Sequence, residues 1–474
     1  MLRRLIEWSI DNRFFVILGT VAVIGFGGWA MTTTPVDAIP DLSDVQVIVL
    51  TEWRGQAPQV IEDQVTYPLS TELLKVPNTK YVRGISQFGR SFVYVVFEDD
   101  VDMYWARSRV LEYLNGLGDR LPEEVQPQLG PDATGVGWVM QYVLMDRSGR
   151  LNNAELRSLQ DWYVRYQLTA VPGVSEIATL GGYEKQYQIE LDPERILAYG
   201  VPVSRVLKAV RESNLDVGGR VLEMGGSEYM VRGLGYLGSI EDIGAVAVGV
   251  GEGGTPITVG DVARVHLGPE IRRGIADLAW RTEDGAIRQG EVTSGFVVMR
   301  FGENPLAVID RVKDRMAEIQ SALPEGVEIV IGYDRSRLIH RAIETLREKL
   351  IEESLIVALV TVLFLMHARS ALVAIITLPV GVLMSFLVMR GLDVNANIMS
   401  LGGIAIALGA MVDAAIVMIE NMHKHMERNE REGGSKSPWE LAVDASKEVG
   451  PALFFSLLII TLSFLPIFAL GAQE

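Results

Sequence analysis

Long apolar runs divide the chain into membrane-crossing and water-facing parts. The first run, FFVILGTVAVIGFGGWAM at 14–31, is long enough for a transmembrane helix, because about 20 residues at 1.5 Å each span the hydrocarbon core of a bilayer. Four further runs lie near the end of the sequence, at 351–366, 371–389, 398–419 and 451–470. The pattern therefore predicts five spans, with the mixed segment 32–350 between the first and the second.

Positive charges predict the orientation of these spans. Arg3, Arg4 and Arg13 precede the first span, which places the N-terminus in the cytoplasm by the positive-inside rule. Alternation of the spans then places 32–350 outside the membrane and the lysine- and arginine-containing loop 420–450 inside. Because Glu474 would lie outside directly after an apolar helix, we expect this sequence to belong to a longer protein.

The large outer segment shows internal repetition. Two stretches combine a helix end, a Val-Pro stop and two alternating strands around a glycine-containing turn: LLKVPNTKYVRGISQFGRSFVYVVFE (73–98) and LTAVPGVSEIATLGGYEKQYQIEL (168–191). Two other stretches are predicted helices that end at a Leu-Pro-Glu sequence: RVLEYLNGLGDRLPEEV (109–125) and RVKDRMAEIQSALPEGV (311–327). The first pair of repeats is separated by the distance from 73 to 168, and the second pair by the much longer distance from 109 to 311. The second copy must therefore contain extra residues, which we place between about 182 and 270. We predict two split βαβ units of ferredoxin-like type, the second with an inserted subdomain.

Composition and charge exclude several classes of function. The net charge is −17, which argues against nucleic-acid binding, because a phosphate backbone needs a basic surface. The chain has no cysteine, so disulfides, thiolate metal sites and cysteine nucleophiles are excluded, and its 17 methionines are its only sulfur. No Ser-His-Asp or Walker-type pattern occurs in a suitable context, so we expect neither an enzyme nor ATP-driven transport.

An acidic residue interrupts the fourth apolar run. In NANIMSLGGIAIALGAMVDAAIVMIEN (395–421), Asp413 costs roughly 2.5 kcal/mol or more at the centre of a membrane helix, so such residues are functional by default. Ala405, Gly409 and Asp413 share one helix face of small residues, which predicts that Asp413 points into a helix bundle. Glu420 lies about 20° from Asp413 around the helix. The alternatives are a static cap or ion pair for Asp413, and a position among lipid headgroups for Glu420.

Methionines occupy another face of the same predicted helix. Met411, Met418 and Met422 fall within about 20° of one line, roughly opposite Asp413. Thioether sulfur is a soft ligand that suits Cu(I) or Ag(I) better than Zn(II). The alternative is packing, since methionine fills gaps in apolar cores.

The whole chain resembles the N-terminal half of a resistance-nodulation-division (RND) efflux transporter. TPVDAIPDLSDVQVIV (34–49), YWARSRV (104–110), GPDATGVGWV (130–139) and the motif at 395–421 are similar to the CusA/CzcA heavy-metal efflux family, most of all to its copper/silver type. The resemblance implies a multi-pass α-helical membrane protein with a large α+β periplasmic domain of ferredoxin-like porter subdomains. It is implied to lie in the bacterial inner membrane.

The resemblance also implies a division of the chain. Residues 1–37 form the cytoplasmic start and first span, 38–132 form porter subdomain 1, and 133–181 with 271–335 form porter subdomain 2. Residues 182–270 form the inserted docking subdomain. Residues 336–474 hold the other four spans and the cytoplasmic loop 420–450.

Functional roles follow from the resemblance for individual residues. It implies that Asp413 relays protons, with Glu420 as a further possible relay. Met399, Met411 and Met418 match a transmembrane methionine relay for metal ions, whereas Ile271 stands where the copper/silver type has a methionine. Divalent-ion members carry a second acid where this chain has Ala407, so we expect Cu(I) or Ag(I) as cargo.

The resemblance implies partners as well. We expect a proton antiporter with no tightly bound cofactor, which assembles as a homotrimer in the lipid bilayer with a periplasmic membrane-fusion adaptor and an outer-membrane channel. Alternatives are a divalent-metal (Zn, Co, Ni or Cd) exporter and a drug-exporting RND pump, although the latter tends to carry two adjacent aspartates where this chain has Val412 and Asp413. A non-transporting scaffold or receptor has no need of the buried acid.

Overall fold

The structure is a computed structural model that describes residues 2–117, 120–233, 235–272, 274–281, 285–365, 368–392 and 394–468. Two helices begin the chain, α1 (Leu2–Asp11) and α2 (Arg13–Thr33). α1 is amphipathic and packs against the last helix of the chain through Ile6 and an ion pair between Glu7 and Lys447 at 2.8 Å.

A first α/β unit follows α2. Its elements are β1 (Gln46–Glu52), α3 (Pro58–Ile61), α4 (Tyr67–Leu73), β2 (Thr79–Gln87), β3 (Arg90–Phe97), α5 (Met103–Asn115) and β4 (Gln126–Leu129), with a π-helical turn between α3 and α4. The antiparallel sheet has the strand order β2-β3-β1-β4. β1 alternates buried and half-buried residues, and α5 buries Met103, Ala106, Val110 and Leu114 at helical spacing. Each element thus presents one apolar face to a shared core.

The chain continues into a second unit that a long insertion interrupts. The elements in chain order are β5 (Trp138–Asp146), α6 (Asn153–Leu159), α7 (Arg165–Thr169), β6 (Val174–Gly181), β7 (Lys185–Leu191), α8 (Pro193–Tyr199), α9 (Val203–Ser213), β8 (Val217–Met224), β9 (Ser227–Gly233), α10 (Ile240–Gly244), β10 (Ala247–Val250), β11 (Pro256–Thr258), α11 (Val259–Val262), β12 (Ala263–Pro269), β13 (Ala276–Arg281), β14 (Ile287–Met299), α12 (Pro305–Gln320) and β15 (Val327–Asp334).

The second unit repeats the strand order of the first. β6 pairs with β14, β14 with β5, and β5 with β15, all antiparallel, so the order β6-β14-β5-β15 corresponds to β2-β3-β1-β4. Both sheets therefore have the order of a βαββαβ unit. α12 covers the second sheet with Val308, Ile309, Val312, Met316 and Ile319.

The two repeats differ in how their two strands pair. The strands β2 and β3 pair with each other, whereas β7 pairs with β12 and β6 with β14. Gly181 and Gly182 between them have φ of 81° and 59°, a conformation that glycine adopts without a Cβ penalty. The chain leaves the sheet there, and β7 and β12 form a two-stranded ribbon to the inserted part.

The inserted part has its own small core and one projecting hairpin. Val201, Val206, Val248, Ile257 and Val259 lie in that core. The hairpin of β8 and β9 pairs only with itself among the described strands, and the described side chains of β9 are all exposed. The assignment of 182–270 to docking, like the other subdomain boundaries, stays a prediction.

Four long helices end the chain: α13 (Ser336–Leu365), α14 (Ala368–Gly391), α15 (Ile398–Arg431) and α16 (Pro438–Phe468). Three helices in the described part are long and apolar enough to cross a membrane, Arg13–Thr33, Ile398–Arg431 and Pro438–Ser463. Ile375–Gly391 within α14 is a shorter apolar helix. The predicted spans 351–366 and 451–470 end outside the described residues, so the number five stays a prediction.

The predicted loop 420–450 is mostly helical. α15 continues to Arg431 and α16 begins at Pro438, which leaves only 432–437 as a connection. Ion pairs one turn apart support the extension, between Glu420 and Lys424 at 2.7 Å and between Glu427 and Arg431 at 3.6 Å. Two glycines with positive φ, at 433 and 434, end the helix. The charged residues of this predicted loop instead form i, i+4 ion pairs, which stabilise a solvent-exposed helix.

Candidate functional site

α15 carries the residues that the sequence singled out. The helix begins at a capping box, in which the Asn397 side chain accepts hydrogen bonds from the amides of Met399 and Ser400 at 3.0 Å, and Ser400 Oγ accepts one from the Asn397 amide at 2.7 Å. No proline follows before the helix ends at Arg431. α15 is therefore one continuous helix from its cap to Arg431.

One face of α15 packs against the other apolar helices. Leu401, Ile404 and Leu408 are buried in a cluster with residues of α14 and α2, namely Leu378, Val382, Phe386 and Ala30. α2 approaches α14 closely there, because a Cβ on Gly27 would lie 2.7 Å from the Leu383 carbonyl oxygen. This packing determines which face of α15 remains uncovered.

Asp413 lies on the uncovered face. It is exposed within this chain, as are Gly402, Ile406 and Gly409 along the same stripe. A Cβ on Gly402 or Gly409 would meet no atom within 4 Å. The prediction that Asp413 points into a helix bundle stays a prediction, because Gly409 and Asp413 are exposed among the described residues, whereas Ala405 on the same face is half-buried.

Glu420 shares this face about two turns further along. Its carboxylate is 2.7 Å from the Lys424 ammonium, and its side chain is about half exposed. On a neighbouring face of α15, Asn421 donates to the Ala445 carbonyl at 2.9 Å, and His425 Nε2 lies 2.6 Å from a Glu448 carboxylate oxygen. α15 and α16 are thus joined by polar contacts at this end.

The three candidate methionines occupy different surroundings. Met411 lies against α14, where its Cε would be 2.1 Å and its Sδ 2.8 Å from a Cβ on Gly381. Met399 is 69% exposed on the side of Asp413, and Met418 is half-buried. Rises of about 18 Å from Met399 to Met411 and about 10 Å from Met411 to Met418 separate them along the helix. The three thioethers cannot form one coordination sphere.

Two further positions bear on the metal. Ala407 is exposed and lies about 120° around α15 from Asp413, so a carboxylate there would not share its face. Ile271 is 69% exposed and borders a cleft of about 390 Å³ lined also by Glu184, Glu270 and Arg272. The described residues contain no group of three or more His, Asp or Glu side chains that could hold a metal ion.

Sequence reasoning missed one polar contact beside the apolar helices. Asp37 and Arg335 form an ion pair with 3.4 Å between Asp37 Oδ2 and Arg335 Nη1, and their side chains are 11% and 5% exposed. The sequence signal was present, because each charged residue stands within a few positions of a long helix. Their pairing across 298 positions was not visible.

The chain belongs to the AcrB/AcrD/AcrF family, whose model matches residues 5–474. Its structure is similar to the X-ray structure of a heavy metal efflux pump (crystal form II), with a TM-score of 0.81 and 31% identity over 98% of this chain and 44% of that chain. The AcrB-family fold and the resemblance to heavy-metal efflux transporters are thereby confirmed, whereas the periplasmic position of the α/β units stays a prediction.

Among curated proteins, the chain is similar to the cation efflux system protein CusA of Escherichia coli K12 and the putative cation efflux system protein SilA of Salmonella typhimurium. Each is 54% identical over 99% of this chain. The cobalt-zinc-cadmium resistance protein CzcA of Cupriavidus metallidurans is 36% identical over 100% of this chain. The chain spans 45%, 45% and 44% of these three relatives, somewhat less than half their length.

Proposed function

We propose that the full-length protein exports Cu(I) or Ag(I) in exchange for protons. The observation that carries the proposal is Asp413, a carboxyl group in the middle of an apolar helix, on a face that the described helices leave uncovered. An ionised carboxylate in the membrane is unfavourable unless it is paired, whereas its protonated form is tolerated. A proton arriving at Asp413 therefore changes which partners its face prefers, and this change can drive a conformational cycle.

Residues beyond this sequence are the partners that the proposal requires. The stripe of Gly402, Gly409 and Asp413 offers a surface on which another helix can approach closely. We assign that helix to the part of the full-length protein outside this chain, with a basic group opposite Asp413. Glu420 remains a further candidate for the proton relay. To take up a proton, its carboxylate would first separate from the Lys424 ammonium group.

Thioether chemistry supports a soft monovalent cargo. Met399, Met411 and Met418 would serve as separate stations along α15, since their spacing prevents a shared site. Each is a neutral soft ligand, and Ala407 supplies no additional carboxylate for a divalent ion. The higher identity to CusA and SilA than to CzcA agrees with this choice. A divalent-metal exporter is the second candidate, and a drug exporter the third.

The proposal places the protein in the bacterial inner membrane, with the two α/β units and the inserted part in the periplasm. We propose a homotrimer that works with a membrane-fusion adaptor and an outer-membrane channel. The β8–β9 hairpin suits contact with a second copy, because it projects with Val217, Tyr229 and Met230 at 65%, 54% and 81% exposure. Exposed apolar side chains on a protruding hairpin favour an intermolecular contact.

Transport by the purified full-length protein tests the proposal. The protein is reconstituted in liposomes with an internal pH indicator, a pH gradient is imposed, and Ag(I) or Zn(II) is supplied. We expect proton flux that depends on Ag(I) and exceeds the flux with Zn(II). Zn(II)-dependent flux without an Ag(I) response would favour the divalent exporter, and no metal-dependent flux would reject metal export.

A further inference from the structure

A short segment that follows α2, here called the strap, is hydrogen-bonded to the start of α15. The strap, residues 34–38, hydrogen-bonds in both directions with 396–398: the Asp37 amide donates to the Ala396 carbonyl at 2.8 Å, and the Ala396 amide donates to the Pro35 carbonyl at 2.9 Å. The Ile398 amide adds a bond to the Ala38 carbonyl at 3.3 Å. These bonds end at the cap of the helix that carries Asp413.

The same strap reaches the second α/β unit through Asp37. Its carboxylate pairs with Arg335, the residue between β15 and α13. Arg335 Nη2 also donates to the Trp138 carbonyl at 2.7 Å, and the Arg335 amide donates to the Val139 carbonyl at 3.1 Å. One guanidinium group thus contacts the strap and β5, while its backbone continues from β15 into α13.

Stability alone does not account for this pair. Two charges buried at 5% and 11% exposure lose most of their hydration, and buried pairs of this kind stabilise a fold no better than apolar residues of similar size. Arg335 Nε has no hydrogen-bond partner among the described residues. What the pair does supply is a direct link between the strap and the sheet, because Arg335 contacts the Asp37 carboxylate and the Trp138 carbonyl with one guanidinium group.

We propose that the Asp37–Arg335 pair transmits movement of α15 to the β5–β15 side of the second α/β unit. The strap and the first turn of α15 move as one body, and Arg335 is a positioning residue that carries their displacement into the sheet. Asp413 lies about 24 Å from Asn397 along a continuous helix, so a shift at Asp413 arrives at the strap with little loss. This inference rests on the proposed proton-driven cycle and names the route by which it reaches the α/β units.

A disulfide tests the first part of the proposal. Val36 and Ala396 are partners in a parallel β-bridge, and such neighbours have Cα atoms about 5 Å apart, within the range for a disulfide. Val36→Cys/Ala396→Cys is made in the full-length protein with any native cysteines replaced, alongside each single variant. We expect the oxidised double variant to keep its metal-dependent proton flux within about twofold of the reduced form. Arrest on oxidation with recovery on reduction would show that the strap separates from α15, and would overturn the proposal.

Hydrogen exchange tests the second part without relying on transport. Peptides that cover β5 and β15 are compared between the full-length protein and its Asp413→Asn variant, and we expect their exchange rates to differ at least twofold. In an Asp37→Asn background this difference should disappear, and Asp37→Glu should restore part of it. A difference of the same size in the Asp37→Asn background would reject the coupling role.

A matched control separates transmission from general weakening of the sheet. Glu328 on β15 pairs with Arg147 at 2.7 Å, but both side chains are about half exposed and neither contacts the strap. Glu328→Gln should leave the exchange response to Asp413→Asn intact, and a loss there equal to that of Asp37→Asn would refute a specific route. If the wild-type protein shows no metal-dependent flux, the proposed function fails, whereas the exchange response still decides the route.

Discussion

Gly381 of α14 lies directly against Met411 of α15, whose thioether end occupies the space where a Cβ on Gly381 would lie. A Cβ at Gly381 would be 2.1 Å from Met411 Cε and 2.8 Å from its Sδ. The thioether proposed as a metal station is therefore also a packing contact between two apolar helices. Packing and ligation are not alternatives at this position, although they were separate interpretations of the sequence.

Gly381→Ala should destabilise the protein through this contact. The added methyl group forces the flexible end of Met411 to move, and such overpacking costs about 1 kcal/mol, the low end of its range. Thermal unfolding of the full-length protein in detergent measures the loss. Gly391→Ala on the same helix is the matched control, since a Cβ there meets nothing within 4 Å. Met411→Ala should cost less stability in the Gly381→Ala background than in the wild type, because the two changes remove one contact. An unchanged midpoint in all variants would contradict the packing.

Asp413→Asn should abolish coupling while the protein still folds. Asparagine keeps the size of the side chain but cannot take up a proton, so metal-dependent proton flux in liposomes should fall by about tenfold or more. Glu427→Gln is the control, because Glu427 lies on α15 beyond the apolar run and pairs only with Arg431 among the described residues. Full flux in the Asp413→Asn protein would exclude the relay.

Replacement of Met399, Met411 and Met418 with leucine should reduce Ag(I) export more than it reduces stability. Leucine nearly preserves volume and apolarity, so a small change in unfolding midpoint is expected, whereas the soft ligands are lost. Silver tolerance of cells that depend on the pump and Ag(I)-dependent proton flux are the measurements. Met426→Leu, on the same helix but outside the proposed relay, should behave as wild type. If the triple variant exports Ag(I) as well as the wild type does, these methionines contribute only to helix packing.

Asp334 should make the junction between β15 and α13 acid-sensitive. Burial alone would raise the pKa of Asp334, but hydrogen bonds from Lys313 at 2.7 Å and from Ser336 outweigh this effect and hold the pKa below its usual 3.8. A lowered pKa in the folded state contributes stability above the unfolded pKa, and this contribution is lost as pH falls through the folded value. Asp334→Asn should therefore cost about 1 to 3 kcal/mol at neutral pH and less at acid pH.

Unfolding midpoints between pH 3 and pH 7 measure this effect in the full-length protein. Lys313→Gln should reproduce most of it, and the double variant should add little, because both changes remove one interaction. Asp310→Asn, exposed on α12, serves as the control. A wild-type acid dependence that Asp334→Asn leaves unchanged would argue against this network.

The sequence alone was sufficient for features that depend on local periodicity. Apolar runs of about 20 residues located α2, α15 and α16, and the unequal offsets of the two repeat pairs indicated that the second unit is interrupted. The helix face of Asp413 also followed from 100° per residue. Such properties follow from neighbouring residues, because backbone geometry repeats over a few positions.

Tertiary structure decided everything that depends on which distant surfaces meet. The pairing of Asp37 with Arg335 joins residues 298 positions apart, and no period in the sequence links them. The partner of β7 is β12 and not its neighbour β6, because two glycines turn the chain out of the sheet. Likewise, rotation of α15 is fixed by Leu401, Ile404 and Leu408 against α14, which places Met411 in contact and leaves Asp413 uncovered. Periodicity defines the faces of an element, whereas complementary packing between elements selects the neighbour of each face.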